Sequence, residues 1–178
     1  MIWFWYFALY SFGGFLLEVV YARITRSSKP DRKCFILLPL CPVYGFGALA
    51  ILMAGEFLWD RPFFLAVVGG GAATAVEYLM GAFYENVLGV SFWDYSGLPL
   101  NVGGKVCLPF SLAWGVLALG QVYLIHPLVE RWAAWIPSIL FPAAVILVCV
   151  DGLLSAYLLK TTASTDSLKW YEAEKKTS

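Results

Sequence analysis

The stretch FFLAVVGGGAATAVEYLMGAF, residues 63–83, decides how the chain must be read. It is apolar apart from one acid, Glu77, and it is long enough to cross a bilayer, which takes about 20 residues of helix. Gly69, Ala73, Glu77, Gly81 and Glu85 recur every four positions and so share one helical face. Such a stripe of small residues lets a second helix approach closely and carries the acids on the packed side. Working outward, four more segments have the same character, at residues 2–24, 43–59, 106–126 and 139–159. The predicted fold is an all-α membrane protein with about five transmembrane helices. Residues 1–160 form a single transmembrane domain, and 161–178 form a short, mobile, polar cytoplasmic tail. The second segment is the shortest. The apolar stretch before it, 34–42, contains Pro39 and Pro42 and reads as a broken or re-entrant helix start, tolerable at membrane depth where protein or water covers the freed backbone.

Composition agrees: 61% of the residues are hydrophobic and 13% charged, well above the roughly 45–50% apolar content of a soluble domain. Twelve basic residues balance twelve acidic ones, so net charge points to no nucleic-acid partner. The N-terminus lacks a basic leader and a small-residue cleavage site, so the first apolar run is expected to stay as a helix. Cys34, Cys41, Cys107 and Cys149 show no ligand spacing and read as small hydrophobes; His126, beside Pro127, reads as an interfacial residue at a helix end. No metal site and no cofactor is expected.

Basic residues set the expected orientation, because positively charged loops stay in the cytoplasm. Arg23, Arg26, Lys29, Arg32 and Lys33 follow the first span, Lys105 precedes the fourth, and Lys160, Lys169, Lys175 and Lys176 follow the fifth; only Arg61 and Arg131 fall opposite. The N-terminus is therefore predicted outside and the C-terminus inside the cell membrane. Within this frame, Leu38-Pro39-Leu40-Cys41-Pro42-Val43-Tyr44-Gly45 aligns with Leu108-Pro109-Phe110-Ser111-Leu112-Ala113-Trp114-Gly115. The match predicts a parallel internal repeat of helix pairs, spans one and two with spans three and four.

Ionisable residues in membrane helices are costly, at about 2.5–3.5 kcal/mol each on insertion scales, and are functional candidates by default. Glu18, Glu77 and Asp151 lie in the first, third and fifth spans at similar expected depth, which predicts one shared cavity; the alternative is that each is an interhelical hydrogen-bonding group. The loop after the third span carries Glu85, then Trp93-Asp94-Tyr95-Ser96, Asn101 and Lys105. It reads either as an interfacial anchor or as a gate whose Asp94, Asn101 and Lys105 face the cavity.

The segments Leu38 to Gly47, Glu77-Tyr78, Glu85, Trp93 to Ser96, Asn101 and Trp114-Gly115 resemble the family of small bacterial membrane proteins described as CmpB-like ABC transporter permeases, or ABC transporter type IV. The resemblance implies a transport-related protein of the bacterial inner membrane without supplying a substrate. The chain shows no Walker A pattern, so an ATPase driving it would be a separate subunit. Five helices are few for a transporter, so a homo-oligomer would be needed to enclose a path.

Three functions stay open. The first is a transport component whose substrate site is built from Glu18, Glu77 and Asp151, with Glu85, Asp94, Asn101 and Lys105 at its mouth. In this reading Pro39 and Pro109 mark broken helix starts that expose backbone polar groups. The second is a lipid-modifying enzyme with Glu77 or Asp94 as general base and Lys105 holding a headgroup phosphate. The third is a noncatalytic subunit that recruits a partner.

Overall fold

The computed structural model describes residues 1–25 and 34–169. Arg26, Lys29, Arg32, Lys33, Lys175 and Lys176, which carry much of the orientation argument, lie outside them. The described chain is all-helical: α1 (Ile2–Ile24), α2 (Pro42–Leu58), α3 (Pro62–Leu88), α4 (Leu108–Gly120), α5 (His126–Trp135) and α6 (Phe141–Thr162). The only β pairing among the described residues is an isolated bridge between Val102 and Val106.

Helix starts follow proline chemistry. Pro42, Pro62, Pro109 and Pro142 each stand in the first turn of their helix, where the missing N–H costs no hydrogen bond. Pro109 therefore opens α4 in the ordinary way and breaks nothing. Pro39 does lie in irregular backbone, and α2 begins three residues after it.

Four helical stretches are long and apolar enough to cross a membrane: Ile2–Ile24, Pro62–Leu88, Leu108–Trp135 and Ser138–Thr162. Pro42–Leu58 is a shorter apolar helix. Leu108–Trp135 departs from expectation, because the chain stays helical through His126. A π-helical turn, Gln121–Ile125, joins α4 to α5. Pro127 lacks the N–H that would bond residue 123 and its ring would crowd that carbonyl, and the widened turn just upstream accommodates both.

Helices α1, α2 and α3 and the α4–α5 stretch enclose the main core, in which Ile51, Leu65, Ala73, Trp114, Ala118 and Val122 are buried. Glycines set the closest crossings. A Cβ on Gly70 would stand 2.7 Å from the Gly115 backbone, and one on Gly45 would stand 2.2 Å from the Ser11 hydroxyl. A larger residue at Gly70 would force the α3 and α4 backbones apart, and one at Gly45 would have to displace the Ser11 and Phe7 side chains. Outward faces remain apolar, with Leu16, Val67, Leu79, Val116, Ile146 and Leu153 among the exposed side chains. A surface of this kind calls for lipid as its solvent.

α6 docks differently. It fully buries only Asp151, Ser155 and Leu159, with Phe141 and Val148 half-buried against neighbours and Ile146, Leu147, Val150, Leu153, Leu154 and Tyr157 exposed. After it, a 3-10 turn at Thr165–Leu168 brings Leu168, fully buried, against Tyr84, Leu88 and Leu159. The region expected to be a loose tail is thus packed structure as far as residue 168.

Candidate functional site

The second half of α1 meets the start of α2, and the second half of α3 meets the start of α4. At the first junction the Tyr44 hydroxyl donates to Glu18 Oε1 at 2.7 Å. At the second the Trp114 indole N–H donates to Glu77 Oε2 at 3.1 Å. The two aromatic rings lie against each other, with centroids 5.3 Å apart. A chain of contacts therefore runs Glu18, Tyr44, Trp114, Glu77 across the middle of the bundle.

Both carboxylates line one cavity of about 50 Å³, together with Cys34, Cys41, Trp93 and Tyr95. A single water needs roughly 10–15 Å³ on such a measure, so the space admits a group of a few heavy atoms. Six aromatic side chains contribute to its walls: Phe92, Trp93, Tyr95 and Phe110 join Tyr44 and Trp114. Were both carboxylates ionised they would repel each other, and a positive group between them would relieve that repulsion.

The loop between α3 and α4 closes one side. Gly89 ends α3 in the left-handed conformation, with φ 71°, which a residue without Cβ adopts freely. The chain then folds back so that the Tyr95 hydroxyl donates to Glu77 Oε1 at 3.1 Å, while its ring stacks on Phe110. The residues facing the cavity are therefore the loop's aromatics. Asp94 and Asn101 build the loop itself: Asp94 Oδ1 accepts the Ser96 N–H at 2.8 Å, and the Asn101 amide donates to the Ser96 and Leu98 carbonyls. The Ser96 N–H holds the Asp94 carboxyl below the usual carboxylate range. Lys105 forms an ion pair with Glu85, and its carbonyl accepts the Trp93 indole N–H at 2.8 Å. Glu85, Asp94 and Lys105 line a second recess, of about 210 Å³, beside the first. Trp93 lines both.

Asp151 stands apart from this cavity. Three consecutive backbone amides, Ile36, Leu37 and Leu38, donate to its carboxylate at 2.7–3.1 Å. The Ser155 hydroxyl accepts from the Ile36 amide at 2.9 Å and donates to the Asp151 carbonyl at 2.7 Å. Successive amides turned the same way make an anion-binding concavity, and Asp151, 1% exposed, fills it. Where the spacing predicted three acids around one space, the geometry brings together Glu18 and Glu77 and uses the third to hold irregular backbone.

Reasoning from the residues missed Cys34 and Cys41 as cavity walls. Their sulfurs are 3.8 Å apart. Two thiols seven positions apart across a proline give no spacing signal for this approach. The turn chemistry of Asp94-Tyr95-Ser96 and of Asn101 before Gly103-Gly104 was the available sign that these polar groups serve the loop.

With this geometry in view, the comparison with known families has a direct outcome: the family described as putative ABC-transporter type IV matches residues 5–156. The chain belongs to that family. The matched region contains both aromatic-held acids, the folded-back loop and Asp151, so it takes in the whole arrangement just described. No curated protein and no solved structure matches the chain.

Proposed function

We propose that this protein is the membrane-embedded component of a transport system and that Glu18 and Glu77 form its site for a cation, a proton or a cationic substrate group. The observation that carries this reading is their joint exposure to one aromatic-walled cavity from two different helices. Acids that merely join helices would have no need of a shared space. Asp151, committed to three amides, is assigned to the scaffold in this reading. Asp94 and Asn101 shape the lid loop, and Lys105 with Glu85 closes the adjacent recess.

An internal repeat is part of the proposal. Glu18 pairs with Tyr44 as Glu77 pairs with Trp114. Ser11, seven residues before Glu18, crosses Gly45; Gly70, seven residues before Glu77, crosses Gly115. Two equivalent contacts at equivalent spacings support a duplicated helix pair with one acid and one aromatic donor per copy. We further propose five spans in the cell membrane with the N-terminus outside, a homo-oligomer, and a separate ATPase subunit as energy source, the last from the family description alone.

Reconstitution with candidate ATPase subunits, followed by uptake assays on the wild type and Glu77→Gln, tests the reading. Loss of transport with retained folding is expected. Full transport by the variant Glu18→Gln/Glu77→Gln contradicts it.

A further inference from the structure

A second space lies against the first. Between α1 and the α4–α5 stretch runs a groove of about 380 Å³, lined by Leu9, Gly13 and Leu17 on one side and by Leu117, Ile125 and Trp132 on the other. It is almost wholly apolar. Along α4–α5 its lining extends from Trp114 to Trp132, about 27 Å of helix at 1.5 Å per residue. On α1 its rim includes Phe12, Leu16 and Leu17, which are exposed on the outer face, so the groove opens where lipid would be.

The groove and the acidic cavity share three residues: Tyr44, Trp114 and Leu117. The partition between them is the pair of rings that hold the two carboxylates. The Tyr44 ring packs on Gly14, where even a Cβ would come within 2.2 Å of it, so this ring reaches the groove side only because α1 has no side chain there. One small compartment that bears two carboxylates thus adjoins one apolar compartment of chain-like proportions.

We propose that the site takes the ammonium group of a primary amine carried on a single long alkyl chain, with the chain in the α1/α4–α5 groove and the molecule entering sideways from the bilayer. This rests on the reading of Glu18 and Glu77 as cation-binding groups, and it names the substrate class. The charge of the cavity selects the head, and rings around it add cation–π attraction. The small volume favours a primary ammonium over bulkier heads. Among the described residues no three His, Cys, Asp or Glu side chains converge as metal ligands would, whereas an ammonium needs only acceptors and ring faces. The groove selects the tail by burial of apolar surface.

The test uses the full chain in phosphatidylcholine nanodiscs and a long-chain primary amine bearing a diazirine near its chain end, with adducts mapped by mass spectrometry. Adducts are expected on residues 9–17 and 117–132, suppressed by excess hexadecylamine and spared by hexadecanol. The variant Glu18→Gln/Glu77→Gln should lower labelling about tenfold or more, the equivalent of about 1.4 kcal/mol. Gly13→Phe supplies an independent arm: a Cβ at Gly13 meets nothing within 4 Å, so the new ring fills the groove while both acids remain. It should lower long-chain labelling and leave stabilisation by methylammonium intact. Labelling equally competed by hexadecanol, or unchanged in the double glutamine variant, overturns the proposal. If methylammonium stabilises the wild type but not the double variant while the long-chain amine leaves the groove unlabelled, the amphiphile is wrong and the acidic site stands. If neither amine distinguishes the wild type from the double variant, both readings fall.

Discussion

Two places in this molecule put carboxylates inside apolar helices, and they treat them differently. At the α6 joint, Asp151 is closed off by three fixed backbone amides and by Ser155. In the α1–α4 bundle, Glu18 and Glu77 are held by aromatic side chains and face a cavity. Backbone amides in a folded segment cannot turn away, so an acid bound by them is a fixture. A tyrosine hydroxyl can rotate and can accept as well as donate, so an acid bound by it can change partner or charge without breaking the fold. The difference separates a structural acid from an exchangeable one more sharply than burial does.

Removing the fixture should have the largest effect. Asp151→Ala leaves up to three amides without their acceptor, at roughly 1–3 kcal/mol each, and the sum approaches the 5–15 kcal/mol that holds a whole domain together. Thermal unfolding in detergent should show Asp151→Ala scarcely folded and Ser155→Ala weakened by about 1–2 kcal/mol. A fully stable Asp151→Ala would erase the contrast.

A smaller loss is expected at the crossing that positions Trp114. Gly70→Val pushes a side chain into the Gly115 backbone, and overpacking of this kind costs about 1–3 kcal/mol. The α3–α4 pair must open, so tryptophan fluorescence should report a changed Trp114 environment along with the lowered stability.

Glu77→Gln should cost about 1 kcal/mol or less in stability. The glutamine oxygen can accept from Trp114, and its amide can donate to a reversed Tyr95 hydroxyl, so both bonds survive and only the charge is lost. Transport or amine binding should nevertheless disappear. Severe destabilisation by Glu77→Gln would move this acid into the same class as Asp151. The smallest change is expected from Lys105→Met, which breaks the ion pair with Glu85 outside the helical core and should shift stability by about 0–1 kcal/mol.

How much of this could be read from the residues follows from where each partner lies. The helices were legible because hydropathy and length need only local sequence, and Glu77 was legible because its own stripe of small residues marks the packed face. Glu18 was legible as a lone acid in an apolar span, at a depth expected to match that of Glu77. Asp151 was misjudged because its partners are main-chain amides more than a hundred positions away. A backbone amide looks the same under any side chain, so Ile36, Leu37 and Leu38 gave no sign of binding an anion. The π-helical turn was hidden for a related reason: Pro127 signals a break, but the helix absorbed it by widening upstream. Leu168 was lost inside a polar tail because one buried residue does not alter the composition of its window.

The central claim is that Glu18 and Glu77 together bind a positive group and that Asp151 does not. Calorimetric titration of methylammonium into the purified full-length protein tests it most directly, comparing wild type, Glu18→Gln/Glu77→Gln, and Ser155→Ala, which loosens the α6 joint without touching the cavity. Saturable binding by the wild type and Ser155→Ala, with none by a folded double glutamine variant, is the predicted result. Equal binding by the double variant would contradict it.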